Sequence, residues 1–190
     1  MSEETRVFIA VEVNQSVKQS LAKVKDLLRD CALEIKWVED FNFHITLKFL
    51  GEISDDKIEE VKKVLEKIAA KRQAFAIEIS GLGAFPKLDF PRVIWAGVNQ
   101  GEEKIMQLQN EIEEKMIELD FTPEKHDYTP HITLGRVKDK GKEELLSDKL
   151  KEFPFSFSER DRVSAITLFA SELTAQGPKY KVLESFELRD

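Results

Sequence analysis

A chain of 190 residues, 42% hydrophobic and 34% charged with a net charge of −7, suits one compact domain or two small lobes sharing a core. Its only cysteine, Cys31, excludes an intramolecular disulfide framework, and the acidic balance argues against non-specific coating of nucleic acid. No apolar run approaches the roughly 20 residues of a membrane span. The polar start, Met1 to Arg6, lacks a signal-peptide pattern, so the cytoplasm is the expected compartment and a monomer the expected state.

Val7–Val13 alternates as a strand. Ser16–Asp30 carries Val17, Leu21, Val24, Leu27 and Leu28 at helical spacing, with Cys31 at the end of that pattern. Phe43–Leu50 reads as a strand. Ser54 is placed to cap a helix running to about Ala70, with Ile58, Val61, Val64, Leu65 and Ile68 inward. Phe75–Phe85 and Val93–Val98 read as strands, with Pro86 and Pro91 bracketing the loop between them. Glu102–Leu119 is helical through Ile105, Leu108, Ile112 and Met116. After the strand His131–Val137 come a short helix near Glu143–Leu150 and strands at Phe155–Phe157, Val163–Leu173 and Tyr180–Leu188.

The chain repeats itself. Val13-Asn14-Gln15 and Val98-Asn99-Gln100 each end an apolar run and precede a helical pattern, and each is followed, 30 and 32 residues after its asparagine, by His-Ile-Thr-Leu. Two matched words at matched separation indicate an internal duplication, with copies at roughly 6–90 and 92–173 and a closing strand at 179–188. The expected fold class is α+β. Two pseudo-symmetric lobes, each a small, mainly antiparallel sheet with helices on its outer face, would flank a central cleft in one bilobal domain, 1–190.

Alternate residues of a strand share a face. His44, Thr46 and Lys48 therefore share one face, with Ile45, Leu47 and Phe49 on the other. His131 and Thr133 share a face, with Ile132 and Leu134 opposite. Two imidazoles in one cleft suit phosphoester cleavage, which takes a proton from the attacking oxygen and gives one to the leaving oxygen on the far side of phosphorus. With an unperturbed pKa of about 6.5, one histidine can be neutral while the other is protonated. The Thr46 and Thr133 hydroxyls can donate to non-bridging oxygens, and Lys48 and Arg136 can balance charge. A Gly-x-Ser-x-Gly elbow and a Walker-type phosphate loop are both missing, and three histidines with one cysteine show no metal-ligand spacing. Neither a metal nor another cofactor is expected.

These stretches, with Phe8-Ile9-Ala10, Lys36-Trp37-Val38, His44 through Glu52, Arg92 through Gly97 and Pro130 through Arg136, carry a resemblance across essentially the whole chain. The sequence resembles the two-histidine phosphoesterase superfamily. It is most similar to its RNA 2′,3′-cyclic phosphodiesterase branch, long called 2′-5′ RNA ligases. The resemblance implies hydrolysis of a terminal 2′,3′-cyclic phosphate on an RNA 3′ end or nucleotide to a 2′-phosphate, and a phosphate-binding role for Arg136. Arg136 stands five residues past His131, on the wrong face by simple alternation, so a bulge at Gly135 would be needed to turn it inward.

His44 is assigned as proton donor to the leaving oxygen and His131 as proton acceptor from water. The same groups, with a ribose hydroxyl in place of water, would give 2′-5′ ligation. Phe43 and Trp37 are candidates to stack on a terminal base or to pack in the core. Arg92, at a strand start near the cleft, is a candidate substrate contact; Trp95 is expected in the core and His126 on a surface loop. Two other readings stay open: a phosphodiesterase for small cyclic nucleotides or ADP-ribose cyclic phosphate, and a non-catalytic RNA-end binder in tRNA processing.

Overall fold

The computed structural model describes residues 4–29, 34–138, 143–152, 157–174 and 177–190. Its elements are β1 (Thr5–Glu12), α1 (Gln15–Arg29), β2 (Ile35–Trp37), a 3-10 turn (Asp40–Asn42), β3 (His44–Ile53), α2 (Asp55–Ala69), β4 (Phe75–Lys87), β5 (Phe90–Val98), α3 (Glu102–Glu118), β6 (His131–Val137), α4 (Glu143–Glu152), β7 (Ser158–Val163), β8 (Ala165–Thr174) and β9 (Gly177–Glu187). Ser54 caps α2 as expected, its hydroxyl accepting from the Lys57 amide at 3.4 Å. α1 starts on Asn14, whose side-chain oxygen accepts from the Val17 amide at 2.9 Å. The expected strand Phe155–Phe157 lies mostly outside the described residues, as does Cys31. No helix among the described residues is long and apolar enough to cross a membrane.

The fold is α+β, and its paired strands are antiparallel. The sheets of the two lobes are continuous with one another, in the order β7-β4-β5-β6-β3-β1-β8-β9, with β2 added beside β6. The halves meet where β3 touches β6 at the single pair Ile45–Ile132. The two stretches expected to be copies exchange strands. The last strand of the first copy, β4, pairs with β5, the first strand of the second copy; β8, late in the second copy, pairs with β1, the first strand of the first. Each half-sheet is thus built from both copies, so neither copy closes its own sheet.

The two faces of the sheet differ. Val7, Ile9 and Val11 of β1, together with Ile45, Ile132 and the apolar stripes of all four helices, form one continuous core. α2 and α3 pack on each other, α3 also on β3, α2 on β8 and β9, α1 on β7 and α4 on β5. On the opposite face of β1, Phe8 and Ala10 join Phe169 and Tyr180 in a separate small aromatic cluster. The Phe8 and Phe169 rings stack at 5.1 Å. This second face is the floor of the cleft.

Both histidine strands break their alternation at the same point. β1 pairs Ile9 with Lys48 and Ala10 with Thr46, so Leu47 is an extra residue on β3. β5 pairs Ile94 with Gly135 and Trp95 with Thr133, so Leu134 is an extra residue on β6. Each bulge falls on the leucine of His-Ile-Thr-Leu and reverses the facing of the two residues that follow it. Lys48 and Gly135 follow their leucines to the helix side, and Phe49 and Arg136 emerge on the cleft side.

Strict alternation is therefore corrected at two residues. Lys48 does not face the cleft: it is 2% exposed and pairs with Glu113 of α3 at 2.7 Å, also donating to the Thr122 carbonyl at 3.2 Å. Phe49, expected under a helix, lines the cleft. Truncating Lys48 leaves the Glu113 carboxylate with the Glu124 amide but without its cation, at a largely buried site. We expect Lys48→Ala to cost roughly 3 kcal/mol, read as a lower urea midpoint. A phosphate ligand would instead show a raised KM at unchanged stability.

Candidate active site

A cleft of about 360 Å³ opens on the second face, walled by β2, the 3-10 turn, β3, β6 and the β8–β9 hairpin. His44, Thr46, His131, Thr133 and Arg136 all line it. The Ile45–Ile132 pair explains why. Those isoleucines point into the helical core, so their neighbours point into the cleft. Continuing the antiparallel register sets His44 across from Thr133 and Thr46 across from His131. The two histidines lie on the diagonal of that square, a relation that spaces backbones by roughly 7–8 Å. Their longer side chains then reach over one small volume.

Both imidazoles are held in the same way. His44 Nδ1 contacts the Asn42 carbonyl at 2.6 Å, and His131 Nδ1 contacts the Thr129 carbonyl at 2.7 Å, each two residues upstream. A carbonyl only accepts, so each Nδ1 carries the hydrogen and each Nε2 is the atom that titrates. His44 Nε2 lies 2.9 Å from the Thr46 hydroxyl, which donates to it when the ring is neutral. Burial lowers the His44 pKa to about 4, against the Asn42 carbonyl and with small contributions from Lys18 and His131. Burial also lowers His131, against the Thr129 carbonyl, and the nearby Arg136 lowers it further.

The surroundings of the two rings are not symmetric. His44 sits among Phe8, at 5.1 Å between ring centroids, Tyr180, at 5.3 Å and edge-on, and Phe169, at 6.2 Å. His131 sits against Phe85 at 5.0 Å and Trp95 at 5.9 Å. The bulges put Arg136 beside one histidine and Phe49, 59% exposed, at the matching place beside the other. Both rings rest on aromatic side chains, and Arg136 is the cation that the bulge adds at the His131 end. Trp95 is half-buried on the cleft face of β5 rather than in the helical core, and its indole N–H has no hydrogen-bond partner.

Other expected ligands fall elsewhere. Phe43 is 1% exposed and belongs to the helix-side core, beneath the Lys25 ammonium. It lies next to His44, and neighbouring strand residues face opposite ways. Arg92 is not among the lining residues; its guanidinium stacks on the Phe90 ring at 4.4 Å. His126 is exposed in a bend and does not line the cleft. Trp37 does line it. Asn42, Thr129, Phe8, Phe169 and Tyr180 were not predicted. Three of these five are brought in by strand pairing across the chain, which leaves no local pattern. Among the described residues no cluster of three or more His, Cys, Asp or Glu is placed to hold a metal ion.

Gly135 fits the site tightly. A Cβ there would stand 2.8 Å from both Ile35 Cγ2 and Trp37 Cε3. Gly135→Ala should push β2 away from β6, next to Arg136. We expect a loss of about 1–3 kcal/mol, read as a lower melting temperature, together with a raised KM.

One histidine with a forced tautomer in each half of a duplicated α+β sheet, converging with an arginine on one cleft, defines a two-histidine phosphoesterase. The family model "LigT like Phosphoesterase" matches the chain twice, over residues 11–95 and 97–180, and the chain belongs to that family. Among curated proteins it is similar to the RNA 2′,3′-cyclic phosphodiesterase of Aeropyrum pernix, 40% identical over 86% of this chain and 92% of the relative. It is also similar to the protein of that name from Archaeoglobus fulgidus, 38% identical over 96% and 99%. Among solved structures, TT0787 of Thermus thermophilus superposes with a TM-score of 0.80 at 26% identity, covering 97% of this chain and 98% of that one. E. coli LigT complexed with 3′-AMP superposes with a TM-score of 0.81, covering 99% and 100%; at 23% identity that likeness speaks to the fold.

Proposed function

We propose that this protein is a metal-independent RNA 2′,3′-cyclic phosphodiesterase that opens a terminal cyclic phosphate to a 2′-phosphate. The observation that carries the reading is the pair of imidazoles with identical forced tautomers, each presenting only Nε2 to a shared cleft. The name borne by the curated relatives supports the same substrate.

His131 Nε2 takes a proton from water as its oxygen bonds to phosphorus. The P–O3′ bond breaks on the opposite side, and His44 Nε2 gives its proton to O3′. One proton enters the pair and one leaves, so both imidazoles end with roles exchanged and reset through solvent. Burial favours the neutral form of both rings, and Arg136 adds to it at His131, the base; at His44, lowered to about 4 in the free enzyme, the proton the acid needs is held by the anionic phosphate of the bound substrate. Arg136 also offers a guanidinium to the non-bridging oxygens, joined by the Thr46 and Thr133 hydroxyls. Phe49 and Tyr180, which line the cleft at the His44 end, provide an apolar surface for the nucleoside. No step passes through a metal, and 2′-5′ ligation uses the same groups in the same direction, with a ribose 5′-hydroxyl in place of water forming the bond to phosphorus as P–O3′ breaks.

The test is an oligoribonucleotide ending in a 2′,3′-cyclic phosphate, incubated in EDTA, with the product read by ³¹P NMR. Turnover to a 2′-phosphate is expected. A 3′-phosphate product would reverse the geometry, and loss of turnover in EDTA would sink the metal-free route. The cleft, at about 360 Å³, has room for little more than one nucleotide, which keeps a small cyclic nucleotide as a second reading. Equal kcat/KM for the oligonucleotide and the mononucleotide would favour it.

A further inference from the structure

His44 owes its orientation to a backbone carbonyl, that of Asn42 in the 3-10 turn. A single short turn is a weak anchor unless something fixes it, because its carbonyls compete with water and the turn makes few internal bonds. Here α1 grips the turn with two ammonium groups seven residues apart on one helical face. Lys18 Nζ donates to the Phe41 carbonyl at 3.0 Å. Lys25 Nζ donates to the Val38 carbonyl at 3.1 Å and forms an ion pair with the Asp40 carboxylate.

Lys25 is the unusual member. It is 3% exposed, in a chain whose lysines otherwise mostly face solvent. Burying an ammonium is costly unless it is paired and hydrogen-bonded. Among the described residues its bonds go to the segment just before His44, and its ammonium lies over the Phe43 ring at 5.6 Å. The opposite side of the turn is held by Asn42 Nδ2 donating to the Pro178 carbonyl of β9 at 3.1 Å.

We propose that Lys25 is a positioning residue for the reaction assigned above: through Val38 and Asp40 it fixes the 3-10 turn whose Asn42 carbonyl holds the His44 ring. The proposal rests on the phosphodiesterase reading for its kinetic consequence only. The orientation of His44 is measurable without any substrate.

The variant is Lys25→Met, which keeps an unbranched stem over Phe43 and removes the ammonium. In wild type, ¹⁵N NMR of labelled histidine should show the neutral His44 ring wholly as the Nδ1–H tautomer. In Lys25→Met it should show a mixture with the Nε2–H form, while His131 stays fixed. On the cyclic-phosphate oligonucleotide, kcat should fall by about tenfold to a hundredfold with KM little changed, as expected for a misplaced catalytic group. A residue that merely stabilises the fold would lower the melting temperature and leave the His44 tautomer and kcat alone. That outcome overturns the proposal. If Lys25→Met does not fold, Asp40→Asn, which spares the Lys25–Val38 bond, carries the same two measurements with smaller expected changes. An unaltered tautomer there is equally fatal. A wild-type enzyme with the fixed tautomer and no turnover would count against the phosphodiesterase reading and not against Lys25.

Discussion

Replacing either histidine by alanine should lower kcat on a cyclic-phosphate oligonucleotide by roughly 10²–10⁴-fold, with KM changed far less. Each Nε2 is the titrating atom at one end of the same in-line displacement, and each ring is oriented by a carbonyl that survives its removal. The double variant is expected to be little worse than the poorer single one. Proton removal and proton delivery belong to one step, and groups that act as a unit give non-additive losses. Arg136 and the two threonines would keep binding the phosphate in all three variants, so inorganic phosphate should still bind. Single variants as active as wild type would dismiss the two-histidine mechanism. Strictly multiplicative losses would show that the histidines contribute independently rather than as a unit.

The kcat/KM profile of the wild-type enzyme should be bell-shaped, with its maximum below pH 6.5. The productive form holds one proton across the pair. In the free enzyme burial lowers His44 to about 4 and lowers His131 as well, and kcat/KM reports the free enzyme. The singly protonated pair is most populated midway between two pKa values that both lie under the ordinary histidine value of about 6.5. Above the higher of them activity should fall about tenfold per pH unit. A cyclic phosphodiester stays a monoanion throughout this range, so the profile belongs to the enzyme. A maximum at pH 8 or above would show that the cleft does not depress its histidines. The same shift has a consequence for stability. The unfolded chain takes the His44 proton near pH 6.5 and the folded one only near pH 4, so stability is lost as pH falls through that window. The urea midpoint should drop between those limits, and drop less in His44→Ala.

Removal of Lys48 or crowding of Gly135 tests different parts of the same pair of strands. Lys48 is held by Glu113 and by the carbonyl of Thr122, at the base of the segment that leads to Thr129 and His131. Tyr128 of that segment donates to the Thr46 carbonyl at 2.9 Å. The loop that orients His131 is thus fastened to the strand that carries His44, and stability and site geometry are joined there.

The candidate catalytic pair was legible in the sequence because the same tetrapeptide occurs twice. His44 with Thr46 and His131 with Thr133 follow from two-residue periodicity, which is reliable over three residues of one strand. The same rule fails one residue past each leucine. A bulge depends on how β1 and β5 pair with their neighbours, and no local preference reports that. Lys48, read as a phosphate ligand, is buried with Glu113, while Phe49, read as core, faces the cleft. Arg136 reaches the cleft for the same reason. The sequence alone determined most of the elements, though not β2, the 3-10 turn or β7, along with the repeated words and the two chemical groups, since propensity, hydrophobic period and repeated words are local properties of the chain. Tertiary structure decided the exchange of β4 and β8 between halves, the carbonyl anchors at Asn42 and Thr129, and the aromatic wall of Phe8, Phe169 and Tyr180 around His44. These are contacts between residues far apart in sequence, fixed only when strand register and bulges place them together.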